Sequence, residues 1–165
     1  MAKSETELLA LLRELDDPER LERPLHYDRA AAAVQFSGLV RRLEADFGVV
    51  CESERDTRDS SEYGRVHVPA DATVCGTRIV VCVSKFNPLA EVCADNPGAF
   101  LGTDEAHEER ALDLGDLATV RRALADLGYT SVPEELLESD YDGPSRMEHI
   151  AVRPSWWTRF FGTVW

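Results

Sequence analysis

The run Ile79-Val80-Val81-Cys82-Val83 constrains this chain more than any other feature. β-branched residues dominate it, it shows no alternation with polar residues, and it is too short for a buried helix. Such a run predicts a central strand, Arg78 to Ser84, covered by other elements on both faces. Everything else in the fold has to supply that cover.

The flanking segments read accordingly. Tyr63 to Val68 alternates, with Val66 and Val68 on one face and Arg65 and His67 on the other. Leu89 to Ala94 makes a further strand, between the turn at Asn87-Pro88 and the break at Asn96-Pro97-Gly98. Val49-Val50-Cys51 is expected to begin a strand, and Glu52 to Ser61 to be a loop or twisted hairpin. Short connections between successive strands favour an antiparallel meander.

Helices are expected on either side of this β region. Ser4 with Glu7 has capping-box spacing ahead of Leu8, Leu9, Leu11, Leu12 and Leu15. Asp28 can cap a longer helix that ends at Gly48, with Phe36, Leu39, Val40, Leu43 and Phe47 recurring every three or four residues. Gly38, in the middle of that helix, marks a close packing contact. Asp116 is expected to cap a helix ending at Leu127. Tyr129 to Val132 reads as a last strand and Glu134 to Glu138 as a short helix behind Pro133. Strands grouped centrally between helices give an α+β fold. The expectation is a single domain over residues 1–165, with a four- to five-stranded, mainly antiparallel sheet and N- and C-terminal helices packed on it.

Charge limits the function classes. The 165 residues carry 31 acids against 18 bases, a formal charge of −13. From Asp104 to Asp142 there are 12 acids, and the bases are Arg110, Arg121 and Arg122. Nucleic acid is excluded as a direct partner, because its binding depends on cations that displace phosphate counterions. A basic protein is favoured, drawn by electrostatic steering. The residues expected to form the acidic face are Asp104, Glu105, Glu108, Glu109, Glu138, Asp140 and Asp142. The competing explanation is a solvated face that keeps the protein dispersed.

Chemistry-bearing motifs are absent. The chain has no phosphate-binding glycine loop, no G-x-S-x-G and no H-E-x-x-H. Cys51, Cys75, Cys82 and Cys93 form no Cys-x-x-Cys, and His26, His67, His107 and His149 fall at no zinc-site spacing. Glu138-Ser139-Asp140-Tyr141-Asp142-Gly143 opens like an EF-hand loop, but position twelve is His149 where a bidentate glutamate is required. No metal, no cofactor and no enzymatic activity are expected. The alternative is a small enzyme centred on Cys82 or His67. The N-terminal stretch lacks the charged and apolar regions of a secretory signal, and no apolar run is long enough to span a bilayer. A cytoplasmic protein without membrane contact is the expectation.

All three tryptophans lie in the last ten residues. In a helix, Trp157, Phe161 and Trp165 share one stripe and Trp156 and Phe160 an adjacent one. These rings either close the core or form a partner contact, a homodimer included; the third functional reading is a module that self-associates through them.

The C-terminal third carries Leu127-Gly128-Tyr129, Val132-Pro133-Glu134-Glu135-Leu136-Leu137, Tyr141-Asp142-Gly143 and Trp156-Trp157-Thr158-Arg159-Phe160-Phe161. Over about 40 residues this pattern resembles small immunity proteins of bacterial polymorphic toxin systems. It departs after Phe161, where Gly162-Thr163 stands in place of an Asp-Tyr pair. The resemblance implies a compact acidic α+β protein that blocks a toxin by covering or distorting its active site. It singles out no contact residues.

Overall fold

The computed structural model describes residues 3–55, 58–147 and 153–162. Helices α1 (Glu5–Leu15) and α2 (Arg29–Phe47) precede strands β1 (Glu52–Arg55), β2 (Glu62–Val68), β3 (Ile79–Ser84) and β4 (Leu89–Ala94). Helices α3 (Gly102–Glu108) and α4 (Leu114–Asp126) lead to β5 (Thr130–Ser131), followed by α5 (Glu134–Leu137) and α6 (Trp156–Phe161). The five strands form one sheet in the order β1-β2-β3-β4-β5. The first four are antiparallel neighbours. β5 runs parallel to β4, which requires the long crossover that α3 and α4 provide. The fold is α+β, as the clustering of strands predicts.

Every residue of β3 and β4 is buried, because helices cover both sides of the sheet. On one face Val66, Val68, Ile79, Val81, Ala90 and Val92 pack against Phe36, Leu39 and Leu43 of α2 and Leu117, Val120 and Leu124 of α4. On the other, Val80, Cys82 and Leu89 meet Leu8 and Leu12 of α1, Leu136 and Leu137 of α5, and the rings of α6. β1 is polar and wholly exposed, and its charged side chains protect an open sheet edge.

Local chemistry sets the helix ends. Ser4 and Glu7 form the capping box. The Asp28 carboxylate accepts from Ala31 N at 3.0 Å, and Gly48 ends α2 in the left-handed region at φ 64°. A Cβ at Gly38 would stand 2.9 Å from Leu127 Cδ1, so that glycine lets α2 and α4 approach.

Two boundaries differ from expectation. The strand predicted from Val49 starts at Glu52, because the amides before it serve the end of α2. Val49 N donates to Glu44 O (3.2 Å) and Cys51 N to Glu44 Oε2 (3.0 Å). Helix α4 is capped by Asp113, whose carboxylate accepts from Asp116 N at 3.0 Å. Asp116 accepts instead from Val74 N at 2.8 Å, tying α4 to the loop before β3.

Candidate functional site

Helix α3 and the short α5 lie side by side, and Glu134 ties them together. Glu134 turns inward and accepts from Gly98 N (2.8 Å) and Gly102 N (3.3 Å). The Glu135 carboxylate occupies the place a side chain at position 102 would take. Position 102 has φ +92°, a backbone open to glycine and costly for other residues. Asp104, Glu105, Glu108 and Glu109 project into solvent from α3 and its C-cap, and Glu135 and Glu138 do so from α5 and its C-cap. Among the described residues, no cation forms an ion pair with any of them. Arg121 reaches the same helix by donating to Thr103 Oγ1 at 3.4 Å. Leu101, at the start of α3, is 61% exposed, and Leu114, at the start of α4, is 53% exposed.

The seven acids predicted to form one face therefore divide. Asp104, Glu105, Glu108, Glu109 and Glu138 share the α3–α5 surface. Asp140 pairs with Arg153 at 3.5 Å and Asp142 with Arg13 at 3.0 Å, so their charge is locally matched. Sequence distance alone could not separate these groups, since the matching arginines come from α1 and the segment before α6.

The aromatic tail lies in the core. Trp156, Phe160 and Phe161 are buried, and Trp157 is half-buried with its indole nitrogen enclosed. Trp156 stacks on Phe160 with centroids 6.1 Å apart, and Trp157 on Phe161 at 6.5 Å, the pairs that helical spacing predicts. Trp165 lies outside the described residues.

Arg159 fixes this tail. Its Nε donates to Asp16 Oδ1 at 2.7 Å. Its terminal nitrogens donate to the carbonyls of Asp17, Arg20 and Leu21 at 3.0–3.1 Å. Its guanidinium lies over Phe86, 4.7 Å from the ring centre. Asp16 also accepts from Tyr141 Oη and from Ser145 Oγ. Each guanidinium nitrogen and both Asp16 carboxylate oxygens have a partner, so this buried pair serves as a structural lock.

No protein-family model, no curated protein and no solved structure matches this chain.

The residues singled out for an enzymatic alternative do not meet. His67 Nε2 is 3.2 Å from Glu54 Oε1 on the open part of the sheet. Cys82 lies opposite Arg65, wholly buried. A hydrogen bond with Cys93 favours its thiolate, but burial and the nearby Glu62 and Glu91 outweigh it and hold the thiol above its ordinary pKa. A buried thiol of raised pKa is a poor nucleophile.

Sequence reasoning missed two places. One is a recess of about 220 Å³ between the N-terminus of α2 and the end of β3, lined by Tyr27, Gln35, Tyr63, Lys85, Asn87 and Tyr129. Lys85 is buried there, and its Nζ donates to Glu22 Oε1 at 3.1 Å. It is one of two lysines beside sixteen arginines, a bias that was the available clue. The other is a buried group of acids and thiols. Glu91 is fully buried on β4 beside Cys93, and its carboxyl is pushed up to about 8, chiefly by burial. A glutamate in the otherwise apolar strand Leu89 to Ala94 was its signal.

Proposed function

We propose that this is a non-enzymatic acidic binding protein that docks a basic protein partner through α3 and α5, in the manner of an immunity-type inhibitor. The observation that carries the reading is the set of exposed carboxylates on those adjoining helices, left without ion-pair partners while Asp140 and Asp142 are matched by arginines. Unmatched negative potential accelerates encounter with a cationic surface, and the exposed Leu101 at the start of α3 offers apolar area to hold it. Inhibition then follows from occlusion: the bound protein covers the partner's active surface without chemistry of its own. The proposed place of action is the cytoplasm; no helix among the described residues is long and apolar enough to cross a membrane.

The test is to search the genes beside this one for a basic, toxin-like product and to pair that product with the purified protein. A stable complex is expected. It should be weakened, through slower association, in a triple variant Asp104→Asn, Glu108→Gln, Glu109→Gln and keep its affinity in Asp140→Asn, Asp142→Asn. Equal loss in both, or a gene neighbourhood with no basic product, counts against the reading.

A second reading, a small ligand-binding protein or enzyme, is favoured by the recess at Lys85. Its polar groups converge, as a binding site requires. It ranks second because about 220 Å³ is below the roughly 300–1,000 Å³ of ordinary ligand pockets, and Glu22 already meets the ammonium.

A further inference from the structure

The sheet places Cys93 and Glu91 two residues apart on the same face of β4, and the chain brings Glu134 of α5 onto that face from 41 residues beyond Cys93. One ligand atom from each of the three, two carboxylate oxygens and a sulfur, lies within 4.8 Å of the other two. All three residues are buried. Cys93 Sγ donates to Glu91 Oε1 at 2.7 Å.

Three observations mark this cluster as more than a satisfied polar patch. Glu91 Oε2 has no hydrogen-bond partner although the residue has no solvent exposure. The Trp157 indole nitrogen, directed at the same carboxyl, falls short of hydrogen-bond geometry and is equally unmatched. Finally, no described arginine or lysine pairs with Glu91 or Glu134; Arg65, on the same face of the sheet, is engaged by Glu62 at 2.9 Å. A buried acceptor left without a donor costs about 1–3 kcal/mol. Glu91 is such a group, and it shares its site with a thiol and with the second buried carboxylate, Glu134.

We propose that Glu91, Cys93 and Glu134 form a buried binding site for one zinc-class divalent cation, held on the face of the sheet that α5 and α6 cover. The donor set suits it: thiolate with carboxylate is zinc chemistry, whereas calcium and magnesium take oxygen ligands alone. Zinc–sulfur and zinc–oxygen bonds of about 2.3 and 2.0–2.2 Å place tetrahedral ligand atoms within the present spacing after small side-chain shifts. On binding, the Cys93 thiol proton and any proton on Glu91 pass to solvent, and the cation takes their place. The two backbone donors to Glu134 then orient a ligand, the role outer hydrogen bonds play around metals. Burial makes the ion a clamp between β4 and α5. Cys82 touches Cys93 and lies outside the three-residue set.

The test uses metal-free full-length protein titrated with Co²⁺, then Zn²⁺. The expected result is one cobalt per chain with a near-ultraviolet thiolate-to-cobalt absorption band, displaced by zinc. Cys93→Ala should abolish the band, Cys82→Ala should keep it, and Glu91→Gln, close in shape, should weaken binding by more than about 100-fold, beyond what an outer-shell change produces. Absence of a band in the wild type, or its survival in Cys93→Ala, overturns the proposal. Circular dichroism of each variant reports folding; if Cys93→Ala does not fold, the wild-type band and Glu91→Gln decide the matter.

Discussion

Arg159 Nε stands 2.7 Å from Asp16 Oδ1, joining residues 143 apart in the chain, and neither side chain reaches solvent beyond 1%. Removing one partner strands a buried charge. Asp16→Ala is expected to lose about 3–5 kcal/mol of unfolding free energy. The double variant Asp16→Ala, Arg159→Met should lose less than the two single changes together, as measured by urea denaturation. Additive losses would mean that the two side chains act independently.

Trp156 is core, so its loss should be felt in stability rather than in association. Trp156→Ala is expected to cost about 3–5 kcal/mol. Light scattering should give the same mass for the wild type and for a Trp157→Ala variant that remains folded. A drop in mass would make the tail an interface.

Glu91 sets a pH dependence in the metal-free protein. Its carboxyl is raised from 4.5 to about 8, so between those values the folded state binds more protons than the unfolded one. Stability therefore falls as pH rises from about 4.5 through about 8, the sign opposite to that of a salt-bridged carboxylate. Glu91→Gln should flatten this slope. Thermal melts across that window, in chelator, measure it; an unchanged slope in the variant would place the effect elsewhere.

Gly102 sits at φ +92° with the Glu135 carboxylate where a Cβ would be. Gly102→Ala is expected to cost about 1–3 kcal/mol in backbone strain, beyond the displacement of Glu135. Gly48→Ala should cost less: it too has positive φ, but nothing lies within 4 Å of its added methyl. Paired denaturation curves check the order.

What the sequence disclosed followed from local rules. The limits of β4 were legible because Pro88 and Asn96-Pro97 bracket an apolar run. The ends of α1 and α2 were legible because Ser4, Asp28 and Gly48 act on amides and carbonyls within a turn of themselves. The stacking of Trp156 on Phe160 is helical arithmetic. Relations across the chain left no such trace. Asp113 and Asp116 are equally good caps on paper, and only the bond from Val74 N decides between them. The division of the acidic run depends on Arg13 and Arg153, which spacing does not connect to it. The cluster around Glu91 needs α5 folded onto β4, so its one hint was a charge inside a strand that otherwise excludes them.

Carboxylates on α3 and α5 that attract a basic partner must speed its approach, which stopped flow measures as an association rate across a series of salt concentrations. The rate is expected to fall steeply with added salt, with a shallower dependence in the Asp104→Asn, Glu108→Gln, Glu109→Gln variant and dissociation little changed. A rate indifferent to salt, or the same salt dependence in that variant as in the wild type, would contradict it.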